Sequence, residues 1–406
     1  MPPGEAGTAM ILRALENIQA TMCAMKKEVS DMKEAQRYLS NQVLGLQNRN
    51  KKFFTRLRDV PLEIIAQIFA WIPVRTVLHF RRLSKTIYQC LMTTQFAVLN
   101  MQTADFLKGL EDRVDRTWFH LPEPYQTVYA NAMSGQLKIV TSKIGYTETK
   151  ALPESITRLT AVEEIQLACG KLTGSIPDGI GALQNLTNLD LRLNKLTGPL
   201  PSSLNVLVAL QTLYLTGNQL CGEFPALPNL HALQSLFIDG NRFTGPIPTV
   251  FGSPHTLLDL SVSCNRFSAI PATIGHLSNL VELTMCDNPF AHEIPSAIWT
   301  LTELTLLEMK NCKLSGSFAG IGNLQQLECL DACNNQFSGE LPFREIQSME
   351  NLVHLHLIGN QMSGGEMLDM TGTKLYTMCV DPDIQMNHVV GEKEYYCTSR
   401  HTAEDT

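Results

Sequence analysis

Residues 185–207 read NLTNLDLRLNKLTGPLPSSLNVL, and their spacing decides the fold. Leu189 and Leu191 stand two apart, so both point to one side of a short strand. Asn194 follows, then Gly198 and the pair Leu200-Pro201, and Leu204 and Leu207 turn the chain back to fill the same core. Aligned on the asparagine of L-x-x-L-x-L-x-x-N, the line recurs at Gly170, Asn194, Asn218, Asn241, Asn265, Asn288, Cys312, Asn335 and Asn360. Nine units at intervals of 23 to 25 residues predict an α/β solenoid over 159–364. One such unit cannot bury its own apolar face, so stability comes from interfaces between neighbours and needs at least about three of them.

After most of these positions come an apolar residue, a glycine and an apolar-proline pair: Leu172, Gly174, Ile176-Pro177; Leu196, Gly198, Leu200-Pro201; Phe243, Gly245, Ile247-Pro248. The pattern resembles the plant-type leucine-rich repeat. That resemblance implies an asparagine ladder whose side chains bond backbone groups of neighbouring turns, where orphaned N–H and C=O groups would be costly. Cys312 places a weaker hydrogen-bonding group in the ladder, and Gly170 omits the side chain at the first unit.

Outside the repeats the chain changes character. Residues 51–100 hold eight Lys and Arg against two Asp and Glu, whereas 159–364 hold eight against seventeen. The two regions face different partners. Residues 60–101 open with Pro61, a good helix start, and set Ile64, Ile65, Ile68 and Phe69 at helical spacing before Trp71-Ile72-Pro73. Val77, Leu78 and Phe80, then Leu83, Ile87 and Leu91, continue near period 3.6, which predicts three short helices packed together.

Line by line, 53–101 resembles an F-box: Pro61, Glu63, Ile64, Ile65, Ile68, Phe69, Ile72, Pro73, Val77, Leu78, Leu83, Ser84 and Lys85 occupy its pattern. It departs at Val60, where leucine is more usual, and at Ile87, where an aromatic is common. The plain alternative is a three-helix cap on the solenoid. An F-box followed by leucine-rich repeats resembles the substrate receptors of SCF-type ubiquitin ligases. The resemblance implies that Pro61, Ile64, Ile65, Ile68, Phe69, Ile72 and Pro73 meet a Skp-type adaptor, carried on a cullin scaffold, while the repeats hold the protein to be ubiquitinated. The competing reading is a protein-binding scaffold uncoupled from ubiquitination, and co-purification with the adaptor separates the two. A secreted recognition protein would want a signal peptide and paired cysteine caps.

The amino terminus has no basic segment leading into an apolar run of secretory or membrane-spanning length. The expectation is a cytoplasmic or nuclear protein whose eleven scattered cysteines stay reduced, with neither membrane nor nucleic acid as partner. Residues 1–10 read as disordered. Over 11–48 the positions Ile11, Leu15, Ile18, Met22, Met25, Val29, Met32, Gln36, Leu39, Val43 and Leu46 alternate by three and four, which predicts a coiled-coil helix and a homodimer through 11–46. The alternative is an amphipathic helix folded on its own chain. Residues 102–158 are read as linker and amino-terminal cap, with a first incomplete turn near 137–158, and 365–406 as carboxy-terminal cap and tail in which TKLYTMCV adds a last strand.

Catalytic motifs are not found: there is no GxGxxG after a strand, no GxxxxGK[ST], no HExxH and no CxxC. The chain is therefore read as a binding protein without enzymatic activity or cofactor. Cys329, Asp331, Cys333, His354 and His356 fall on adjacent strands, close enough to raise zinc, but nothing fixes four ligands and a solvated binding surface is preferred, so no metal is assigned. Residues flanking the strand leucines form exposed columns. Asp190, Tyr214, Phe237, Ser261, Thr284, Glu308 and Asp331 make the central one, beside a column containing Asp259 and Glu282 and another containing Arg192 and Asp239. Asp190, Arg192, Tyr214, Phe237, Asp239, Asp259 and Glu282 are the candidate target-binding residues. Aromatic anchors among acids predict a protein target with a basic-apolar segment; the bland alternative is a face that only keeps the solenoid soluble.

Overall fold

A computed structural model gives the architecture for residues 61–72, 74–82, 84–103, 118–119, 121–141, 150–249, 252–253, 255–363 and 373–381. The expected coiled coil, residues 1–10 read as disordered, Pro73, Leu83 and the tail beyond Asp381 lie outside these described residues. By contact the chain divides into Met1–Ile64 and Ile65–Thr406. Of the first, only Pro61–Ile64 are described, as the start of a helix.

That helix, α1 (Leu62–Ala70), is followed by α2 (Val74–Val77), a 3-10 turn over Leu78–Arg82, α3 (Lys85–Leu91) and α4 (Thr94–Thr103). The region thus has more pieces than the three helices read from periodicity. The extra break has a local cause. Ser84 caps α3 by accepting the Ile87 N–H at 3.1 Å, and Thr93 restarts the chain by accepting the Phe96 N–H at 3.1 Å, as serine and threonine do at helix starts. Ile65, Phe69, Val74, Val77, Ile87, Leu91, Phe96 and Met101 fill the core, with the Phe69 and Phe80 rings edge to face at 5.4 Å. Buried Asn100 on α4 donates to the Ala70 and Ile72 carbonyls, both at 2.8 Å, and so satisfies the end of α1 where intrahelical donors run out.

Helix α5 (Glu123–Met133) joins this region to the solenoid. It packs against α4 on one side and the 3-10 turn Glu154–Arg158 on the other. Trp118 is locked onto it by a reciprocal pair: the indole N–H donates to the Gln126 carbonyl at 2.9 Å, and the Gln126 amide donates to the Trp118 carbonyl at 3.2 Å.

Among the described residues the solenoid presents a parallel sheet of eleven three-residue strands in chain order. These are β1 (Ile139–Thr141), β2 (Glu164–Gln166), β3 (Asn188–Asp190), β4 (Thr212–Tyr214), β5 (Ser235–Phe237), β6 (Asp259–Ser261), β7 (Glu282–Thr284), β8 (Leu306–Glu308), β9 (Cys329–Asp331), β10 (His354–His356) and β11 (Thr377–Cys379). Nine are the units read from the sequence, β1 is the incomplete first turn, and β11 is the strand expected from TKLYTMCV. Register is strict: Leu189 pairs with Leu213, Leu213 with Leu236, Leu260 with Leu283, and Leu283 with Leu307, and every one is buried. The apolar-proline pair does a second job. Pro153, Pro177, Pro201, Pro271 and Pro295 each precede a 3-10 turn on the opposite side, where a residue lacking an N–H costs nothing at a helix start.

The ladder joins successive units from inside. Asn194, Asn218, Asn241, Asn265, Asn288 and Asn335 are buried. Each Oδ1 accepts a backbone N–H of the preceding unit, as from Leu196 to Asn218 and Leu220 to Asn241, both at 3.0 Å. At Cys312 the thiol donates to the Met285 and Lys310 carbonyls instead, at 3.1 and 3.3 Å. The residue before each ladder position turns left-handed: Leu193, Cys264, Asp287, Asn311 and Asn334 have φ between 53° and 57°, and Gly217, Gly240 and Gly359 fill the same place. A second set of short strands runs from Lys150–Ala151 to Arg266–Ala269 and resumes at Ser315–Gly316. In the unit of Asn288 it shrinks to a single bridge, Glu293 with Ser315, where Pro289 has no N–H to give and His292 replaces the glycine.

Candidate functional site

The columns expected on the strand face are adjacent as drawn. Asp190 pairs with Tyr214, Tyr214 with Phe237, Phe237 with Ser261 and Ser261 with Thr284, and the column runs on through Glu308, Asp331 and His356. Its amino-terminal part is a stack. The Tyr214 and Phe237 rings lie 5.0 Å apart at 21°, because consecutive parallel strands hold equivalent side chains about 4.8 Å apart. The Arg192 guanidinium covers the other face of Tyr214 at 5.3 Å and is held there by Asp190, with Nε 3.2 Å from Oδ2. Both aromatics are half-buried.

The acids are more engaged than the sequence suggests. Asp190 is buried and also accepts the Arg192 N–H at 3.1 Å. Asp239 accepts the Ser263 N–H at 2.9 Å, the Thr216 hydroxyl at 3.3 Å and the Ser261 hydroxyl; Asp259 accepts the Ser235 hydroxyl at 2.7 Å. Hydroxyls and an amide of neighbouring units thus hold Asp239 and Asp259 in place. Glu282 stands exposed beside them. Sequence reasoning missed these hydroxyl partners, although Ser235 beside Asp259 and Ser261 diagonal to Asp239 follow from the register alone.

Toward the carboxy-terminal end, burial first, then the nearby Asp331 and Glu282 carboxylates, push the Glu308 carboxyl above its usual range against the pull of Lys310. Burial raises the Cys286 thiol to about 12 and Cys329 to about 11, so both are protonated at neutral pH. Cys329 does lie beside His354 and Asp331 beside His356. The two imidazoles meet the Thr377 hydroxyl, at 2.7 and 3.1 Å, and among the described residues no three Cys, His, Asp or Glu side chains gather as a metal site.

On the helical region the seven candidate residues separate. Ile64 and Ile68 are 44% and 59% exposed, and Pro61 is also on the surface. Ile65 is 1% exposed and Phe69 is buried, so these two are core and cannot meet a partner directly; Ile72 is intermediate and Pro73 lies outside the described residues. Neighbours in sequence point about 100° apart on a helix, which is why Ile64 and Ile65 part company. Trp71, 52% exposed and three residues after Ile68, was not singled out from the sequence. The spacing 64, 68, 71 was the available signal.

Residues 57–97 match the F-box domain model, and residues 160–220 and 232–254 match two leucine-rich-repeat models. The chain carries an F-box domain followed by leucine-rich repeats. Among solved structures, it is similar to that titled PEPR1-AtPEP1, at 32% identity over 60% of this chain and 34% of that one, with a TM-score of 0.55. A TDR receptor is 25% identical over 59% of this chain and 46% of that one, with a TM-score of 0.51. The chain thus spans about a third to a half of those two proteins. No curated protein matches it.

Proposed function

We propose that this F-box protein with leucine-rich repeats is the substrate-recognition subunit of an SCF-type ubiquitin ligase. The exposed apolar residues of the F-box, Ile68 and Trp71 with Ile64 four residues earlier, would seat a Skp-type adaptor that connects to a cullin. The strand face of the solenoid would hold the target protein. The carrying observation is that α1 buries Ile65 and Phe69 yet leaves Ile68, and Trp71 just past its end, more than half exposed in a segment that matches the F-box. Large apolar side chains left out of a core mark an interaction surface. In this reading the chain binds and positions, and transfer of ubiquitin belongs to its partners. Location in cytoplasm or nucleus, and pairing of two copies through residues 11–46, belong to the same proposal.

Co-expression with a Skp-type adaptor tests it. A stable one-to-one complex through gel filtration is expected; a chain that elutes alone would leave the protein-binding scaffold as the better reading.

A further inference from the structure

The stack on the strand face has a finished end and an unfinished one. At the finished end the chain supplies its own guanidinium: Arg192 lies over Tyr214 and is paired with Asp190. Tyr214 passes the stack on to Phe237. The next position in the column is Ser261, and among the described residues no cation or further ring lies over the far side of Phe237. The acids that would accompany a cation there are nonetheless in place. Asp259 lies two residues before Ser261 on the same strand, and Asp239, two residues past the end of β5, accepts the Ser261 hydroxyl. Phe237 thus has two carboxylates beside its open side, where Tyr214 has a guanidinium with one.

We propose that the slot above Ser261 accepts an arginine side chain of the target, its plane on Phe237 and its N–H groups on Asp239 and Asp259. The inference rests on the reading of the strand face as the target-binding surface. Two features favour arginine over lysine. The space left by replacing a ring or guanidinium with a hydroxymethyl is one strand spacing thick, about 4.8 Å, which suits a flat group. A guanidinium can stack and donate sideways at once, whereas an ammonium is compact and strongly hydrated. The carboxylates are also fixed beforehand by Ser235, Thr216 and the Ser263 N–H, so the ligand need not organise them. A target approaching this end would therefore present an arginine among apolar residues able to cover Tyr214.

The test is selection of random linear peptides from a display library by the full-length protein, without adaptor. Selected peptides are then resynthesised with the enriched arginine changed to lysine or to citrulline, and binding is read by fluorescence polarisation. Arginine is expected to be enriched, and either replacement to weaken binding about fivefold or more, in line with a stacked cation at a partly desolvated site. Ser261→Arg, which fills the slot from within, and Asp259→Asn, which keeps the shape and the Ser235 contact, should each remove the preference. Selection without arginine, equal binding of the lysine peptide, or undiminished preference in both variants would overturn the proposal. Adaptor binding is measured separately, so failure of the ligase reading leaves this outcome readable.

Discussion

Asn241→Ala should cost about 2–3 kcal/mol, and the ladder itself sets that size. Asn241 donates to the Leu215 carbonyl at 2.9 Å and the Ile238 carbonyl at 3.0 Å, and accepts the Leu220 N–H at 3.0 Å. The two carbonyls are shared. Leu215 also receives Asn218, and Ile238 also receives Asn265, both at 2.9 Å, so each keeps one donor after the substitution. The Leu220 N–H keeps none and is left unpaired inside the solenoid, which accounts for most of the penalty; two weakened carbonyls add the rest. Amide exchange resolved by residue is the assay, since stability in such an array is a sum of local interfaces. Exchange at Leu220 should accelerate about thirtyfold or more, following from the same range, with little change beyond the neighbouring units. Cys312 offers the reverse experiment. Its thiol leaves the Met309 carbonyl to Asn335 alone and cannot accept as an amide oxygen does from the position equivalent to Leu220, which is Phe290. Cys312→Asn should stabilise by about 1 kcal/mol. Unchanged exchange at Leu220 in Asn241→Ala, together with a destabilised Cys312→Asn, would refute the ladder as the joint between units.

Glu308 is raised mainly by burial, so its contribution to stability is fully present below the ordinary carboxyl value and is lost as pH rises through the folded value. Glu308→Gln should therefore unfold at a higher temperature than the parent at neutral pH, with the gap closing as pH falls. Burial lowers His356, so its contribution is present above the ordinary imidazole value and lost as pH falls through the folded one. His356→Gln should flatten the loss of melting temperature on the acid side of neutrality. Leu193 combines φ of +55° with 57% exposure, a conformation that costs a leucine about 1 kcal/mol, so Leu193→Gly should raise the urea midpoint rather than lower it.

How far the sequence reaches follows from what each residue needs. Asn194 and its counterparts are legible because no other side chain donates twice and accepts once in so little space, and the leucines because every unit repeats their burial. The β11 strand was visible for the same reason. The partition of Ile64 from Ile65 was not, since spacing gives the two directions without saying which of them faces the core, and Asn100, which fixes the end of α1, reaches carbonyls 28 and 30 residues earlier that no local pattern reveals. Tyr214 and Phe237 could be placed as neighbours from register, but the Arg192 cover and the hydroxyls holding Asp239 and Asp259 depend on side-chain directions that spacing does not carry. Pro289 and His292 could have announced the shrinking of the second strand set, had the glycine position been followed unit by unit.

The central claim is that the F-box meets an adaptor through the residues it leaves exposed, and isothermal titration of the purified adaptor into the full-length chain tests it most directly. The parent should bind one to one. Ile68→Asp should weaken binding about a hundredfold or more, because an unpaired carboxylate would be buried against apolar surface, while its thermal unfolding stays that of the parent since Ile68 lies outside the core. No binding by the parent, or equal binding by Ile68→Asp, would contradict the account.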